Sequence, residues 1–114
     1  MSISFEGFNN RYLTFTAGAA ATVGKVVELT AAGTVQDAAS GSFTGRLVSL
    51  ENGLALVQVT GMMTLPFTET ESAPLPLGHT RVGAAADGGI QASATGRNAI
   101  VVGKGASTAD LILL

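Results

Sequence analysis

A phrase in this chain returns roughly 55 residues further on, and a chain built that way folds as two versions of one small unit. Residues 24–41 read Gly-Lys-Val-Val-Glu-Leu-Thr-Ala-Ala-Gly-Thr-Val-Gln-Asp-Ala-Ala-Ser-Gly. Residues 78–96 read Gly-His-Thr-Arg-Val-Gly-Ala-Ala-Ala-Asp-Gly-Gly-Ile-Gln-Ala-Ser-Ala-Thr-Gly. Val35 and Gln36 match Ile90 and Gln91, Ala39 matches Ala94, and Gly41 matches Gly96. Further on, Val48 stands against Val102, Ala55 against Ala109 and Val57 against Leu111. The identities are few, and a chain rich in Gly and Ala also throws up such matches by chance. Taken as a repeat, residues 24–66 and 78–114 are two related β-modules sharing one core, joined by a loop at 67–77. That organisation suits a scaffold better than a chain arranged around one catalytic centre.

The strands are short and punctuated by glycine. Residues 11–16 alternate with period two, Leu13 and Phe15 on one side and Tyr12 and Thr14 on the other. A second strand is expected over 25–30, closed by Ala31, Ala32 and Gly33, and a short one over 34–37. Strands over 43–51 and 54–65 flank Asn52-Gly53. Asn-Gly between alternating apolar runs marks a two-residue hairpin, because a type I′ turn needs positive φ at both central positions. In the second arm Ala55, Val57 and Val59 share a face. Residues 69–78 form the long loop, since Pro74 and Pro76 oppose regular pairing. Strands over 80–86 and 89–92 surround a turn at Asp87, Gly88 and Gly89. Strands over 98–103 and 110–114 end the chain. The last of these, Asp-Leu-Ile-Leu-Leu, is apolar on both faces, which predicts burial at the centre of a sheet or at a subunit contact. Residues 17–22 and 84–86 have the alanine content for a single helical turn, but Gly and Pro recur too often for a longer helix. The expected fold is all-β: one small barrel or sandwich-like domain over 13–114, preceded by an arm or edge strand over 1–12.

At 114 residues the chain is long enough for a single domain with a modest core. Hydrophobic residues reach 46% and charged residues only 12%, about half the usual share. A surface so poor in charge is expected to be partly covered by other chains. The net charge of −2 and six scattered basic residues oppose nucleic-acid binding, which needs clustered Lys and Arg to neutralise phosphates. With no cysteine there is no disulfide framework and no thiolate metal site. Residues 1–8 lack the basic and apolar regions of a secretory signal, and Asn52, Gln58, Gly61 and Pro66 interrupt the one long uncharged stretch, so no membrane partner is expected.

The residues that carry chemistry in other chains do not assemble into a motif. His79 is the lone histidine and has no recognisable nucleophile or orienting acid near it in sequence. Residues 103–108, Gly-Lys-Gly-Ala-Ser-Thr, lack Walker spacing and read as a glycine-rich turn. Glu69 and Glu71 lack the spaced oxygen ligands of a calcium loop and read as a solvated acidic loop. One of Met62 and Met63 is expected in the core. No catalytic residue, cofactor or metal is expected. A ligand-binding barrel would have only Arg46, Arg81, Arg97 and His79 to build its site from. Phe5, Phe8 and Tyr12 admit two readings: an edge strand packed on its own domain, or an arm anchored by aromatics on a neighbouring protein.

Three stretches carry a resemblance. They are residues 17–29 (Ala-Gly-Ala-Ala-Ala-Thr-Val-Gly-Lys-Val-Val-Glu-Leu), 55–66 (Ala-Leu-Val-Gln-Val-Thr-Gly-Met-Met-Thr-Leu-Pro) and 77–82 (Leu-Gly-His-Thr-Arg-Val) ahead of Asp87-Gly-Gly-Ile90. Together the chain resembles the small capsid cement, or head decoration, proteins of tailed bacteriophages. The resemblance covers about residues 15–114. It implies a non-enzymatic β-rich virion protein on the outer surface of the capsid, assembled as a homo-oligomer, most simply a trimer, that clamps neighbouring major capsid subunits. A tail or fibre-base component is the alternative from the same composition. The expected interface residues are Phe5, Phe8, Tyr12, Leu111, Ile112, Leu113 and Leu114.

Overall fold

A computed structural model of the protein describes residues 10–72 and 74–114. The described residues form strands and turns, with no helix. In chain order the strands are β1 (Arg11–Ala17), β2 (Val26–Ala31), β3 (Thr34–Asp37), β4 (Gly45–Glu51), β5 (Leu54–Pro66), β6 (Gly78–Ala84), β7 (Ile90–Ala92), β8 (Arg97–Lys104) and β9 (Thr108–Leu113). Most boundaries follow the turn residues. Asn52 at φ 53° and Gly53 at φ 76° make the tight β4–β5 turn, the left-handed pair that the Asn-Gly dipeptide predicts. The alanines of 17–21 do not form a helical turn. Ala17 ends β1, and the next amide, Gly18 N–H, is taken by Val35 O at 2.7 Å.

The architecture turns on β5. At 13 residues it is about twice the common strand length. Its first half pairs with β1 and β4, its second half with β9. The order β1-β3-β2-β4-β5 closes on itself through β1–β5 and makes a five-stranded barrel. The order β5-β9-β8-β6-β7 continues from it and nearly closes as well, through a parallel bridge from Phe67 to Ile90. One long strand therefore runs from the wall of one barrel into the wall of another.

The two halves share more than strand order; their registers correspond. Leu13 opposite Val57 has its counterpart in Met63 opposite Leu111, and Phe15 opposite Ala55 in Leu65 opposite Ala109. The parallel pair Ala17–Val35 recurs as Phe67–Ile90, and Leu29–Val35 recurs as Ala84–Ile90. The irregularity between Leu47 and Ser49 recurs between Val101 and Gly103. Bonds outside the ladders repeat too. Ala38 N–H to Val26 O (3.0 Å) answers to Ser93 N–H to Arg81 O (3.1 Å), and Gly18 N–H to Val35 O answers to Thr68 N–H to Ile90 O (2.9 Å). By register the unit spans 11–60 and then 61–113, so it begins at β1 and breaks inside β5, whereas the sequence phrase alone begins at residue 24.

Each half packs over its own apolar cluster, so two core clusters form where one was expected. Val27, Val35, Leu47, Ala55 and Val57 fill the first. The second contains Leu65, Val82, Ile90, Val101, Leu111 and Leu113, and also takes in Val26, Ala38 and Phe43 from the first module. Full burial of each Val or Leu stabilises by roughly 1.5–3 kcal/mol. Bonds that fasten the modules include Ala84 N–H to Gly41 O (2.7 Å), Val26 N–H to Gly88 O (3.0 Å) and the Arg97 guanidinium to Thr44 O (2.6 Å).

Candidate functional site

The long strand needs a pivot to change barrels, and the residues at that point supply one. Gly61 sits at φ 103°, and a Cβ there would run into Asn10. Asn10 Oδ1 accepts the Met62 N–H at 3.0 Å, and the buried Gln58 amide donates to Thr60 O at 3.3 Å and Met62 O at 2.8 Å. The side-chain amides thus satisfy backbone groups where the ladder is interrupted. Met63 enters the second core and Met62 stays half-buried on the opposite face, the split that neighbouring strand residues impose.

The loop between β5 and β6 is pinned rather than loosely solvated. Leu75 is 0% exposed and belongs to the second core. Its N–H donates to Glu69 Oε1 at 3.0 Å, and Lys104 Nζ donates to Leu75 O at 2.7 Å and to Glu69 Oε1 at 3.1 Å. The Lys104 ammonium also lies 5.8 Å from the Phe67 ring centroid. The Leu75 amide, and then Lys104, hold the Glu69 carboxyl below its ordinary pKa. Lys104, the lysine of the phosphate-loop look-alike, is committed to this latch, and its glycines form the β8–β9 turn closed by Gly105 N–H to Thr108 O at 2.8 Å.

The other charged candidates also serve the backbone. Arg97 donates to Thr44 O and to Leu114 O at 3.0 Å, and burial lowers its pKa below the usual arginine value. Arg81 donates to Ala94 O at 3.2 Å. Arg46 lies in β4 opposite Val26 and Gln58, its Nε buried and unpartnered among the described residues. His79 is exposed on β6, opposite Ile100. The groove on the outside of the first barrel, about 290 Å³, is lined by Thr14, Ser49, Glu51, Asn52, Leu54 and Leu56, with one carboxylate and no second ionisable group. Among the described residues no three His, Asp or Glu side chains gather where a metal ion would sit.

What remains is the surface itself. Tyr12, Leu13, Val23, Leu29, Leu50, Leu54, Leu77, Ile100 and Leu114 are large apolar side chains left open to solvent. Of the expected interface residues, Tyr12 and Leu114 are in this group. Leu111, Ile112 and Leu113 are buried in their own chain, on a strand enclosed between β5 and β8, so the C-terminal contact expected from sequence rests on Leu114. Phe5 and Phe8 lie outside the described residues. Sequence reasoning missed the pivot and the latch. The Pro-Leu-Pro spacing around Leu75 was the one visible signal of the latch, an apolar residue held between two prolines.

No protein-family model matches the chain, and no curated protein matches it.

Proposed function

We propose that this chain is a non-enzymatic structural protein of a bacteriophage virion, which seats on the outside of the head and clamps neighbouring major capsid subunits. The observation that carries the reading is the surface: scattered large apolar side chains on a pinned pair of barrels, one closed and one nearly so, with few charges. Such a body presents contacts without having to order itself on binding, which lowers the cost of association. The charged side chains at hand, Lys104, Glu69, Arg81 and Arg97, are spent on holding backbone in place. The sequence resemblance to capsid cement proteins gives the body its place.

A cement protein works by binding the assembled lattice and not the free subunits, which stabilises the lattice by mass action. Many identical weak contacts on a repeating shell then reinforce one another when the protein is itself an oligomer. A trimer would match a threefold position of an icosahedral lattice. The test is co-sedimentation of the purified protein with undecorated heads of its own phage, together with its mass in solution by light scattering. Saturable binding to heads, with a trimeric mass, supports the proposal. No binding to heads, or binding to tails instead, overturns it.

A further inference from the structure

The internal repeat allows one barrel to be read against the other, and they differ at one end. In the second barrel Met63, Ala84 and Leu113 stand at the end where the second half of β5 begins, and all three are buried. They are covered by the loop between β3 and β4. Phe43 of that loop joins their cluster, Gly41 O accepts the Ala84 N–H, and Thr44 O accepts from Arg97. In the first barrel Leu13 and Leu29 hold the corresponding registers, and Val59 follows Val57 on the same face of β5. Leu13 and Leu29 are left exposed among the described residues, while Val59 packs half-buried against the first core. Leu13 is 54% exposed and Leu29 51%, although each is cross-strand from a fully buried valine, Val57 and Val35. Among the described residues one mouth is thus closed and its counterpart is open at Leu13 and Leu29.

We infer that the open mouth of the first barrel is a docking site for an extended segment of a neighbouring major capsid subunit that presents one aromatic side chain. The closed mouth shows the chemistry that fits: a single phenylalanine seated on two aliphatic positions, with its loop carbonyl bonded to a strand-edge amide. By register the Leu29 N–H holds the place of the Ala84 N–H, so the incoming segment's carbonyl has its donor as well. A second copy of this chain fits less well on two counts. Its loop corresponding to the Phe43 loop is Ser93-Ala94-Thr95-Gly96, which brings no aromatic. Three side chains are also far too few for a dimer contact, which needs on the order of 1,000 Å² or more, whereas one aromatic in a fitted pocket is the usual anchor of a segment-in-groove contact.

The identity of the partner rests on the capsid reading; the mouth as an aromatic-accepting site does not, and two experiments separate them. In the first, methyl-labelled protein is titrated with N-acetyl-phenylalanine amide and, as control, N-acetyl-alanine amide. Saturable shifts at the Leu13, Leu29 and Val59 methyls with the aromatic probe alone are expected, and no shifts there overturn the site. If replacing Phe5 and Phe8 with serine moves those methyls in the absence of probe, the mouth is already filled by the chain's own first residues and the docking proposal is overturned. In the second, Leu13→Asp and Leu29→Asp are tested for head binding. Both positions are exposed, so folding is checked by an unchanged melting curve. Each should weaken binding about tenfold or more, the loss expected when an anchor contact meets an unpaired charge. Undiminished binding by both folded variants refutes capsid docking at this mouth. Failure of the wild type to bind heads removes the partner but leaves the titration to decide the site.

Discussion

Leu75 offers the sharpest test of how the loop between β5 and β6 works. It sits between two prolines in a stretch without regular structure, where a substitution is ordinarily worth within ±0.5 kcal/mol. Yet it has 0% exposure and packs in the second core, while Leu77, two residues on, is 63% exposed. Replacing a fully buried leucine by alanine forfeits transfer free energy and leaves a cavity, together about 2–5 kcal/mol. For a chain of 114 residues the unfolding entropy scales to roughly 0.24 kcal/mol per kelvin, so each kcal/mol moves the melting point by about 4 °C. Leu75→Ala should therefore lower it by about 8–20 °C, and Leu77→Ala by about 2 °C or less. Both can be read by circular dichroism melts and confirmed by urea unfolding, with the denaturant slope unchanged. If the two substitutions cost the same within about 0.5 kcal/mol, Leu75 does not plug the core and the latch around it has no purpose.

Lys104→Met removes both bonds that the Lys104 ammonium donates to the loop, so amide exchange at Leu75 should quicken by about tenfold or more while the melting point falls less than for Leu75→Ala; exchange as slow as in the wild type would deny the latch. Glu69 contributes through its ionised form, because its folded pKa is depressed by the Leu75 amide and Lys104. That contribution is full above the ordinary value of 4.5 and is lost as pH falls through the lower folded value. Protection of the Leu75 amide should accordingly drop below pH 4.5, and Glu69→Gln should flatten that dependence; an identical pH profile in the variant would count against it. Gly61→Ala forces a side chain into a left-handed backbone against Asn10 and should cost about 1–3 kcal/mol or more in urea unfolding, whereas an unaffected midpoint would mean the pivot is not strained against substitution.

The parts of the fold legible in the sequence were those decided by near neighbours. The Asn52-Gly53 turn, the short strand Thr34–Asp37 and the alternation of Ala55, Val57 and Val59 follow from turn chemistry and a period of two. The apolar run ending the chain announced burial, and β9 is enclosed between β5 and β8. What could not be read depended on distant partners. Nothing local in residues 54–66 says that the strand changes barrels at Gly61, because the reason is Asn10, more than fifty residues away. The parallel pairing of Ala17 with Val35 has no local signature either. Glu69 is exposed, as an acidic loop predicts, but its bonds to Lys104 and the Leu75 amide have no local signature. The alternation of Leu13 with Phe15 puts them on one side without fixing how deeply either is buried, and comparison of the two barrels shows Leu13 exposed where its counterpart Met63 is covered.

The central claim is the place of this protein on the capsid, and cryo-electron microscopy of the particles made by its own phage tests it most directly. The account predicts copies of the double barrel on the outside of the head, grouped about local threefold positions, with the Leu13 and Leu29 mouth against a major capsid subunit. Heads bare of this density, or density confined to the tail, would contradict it.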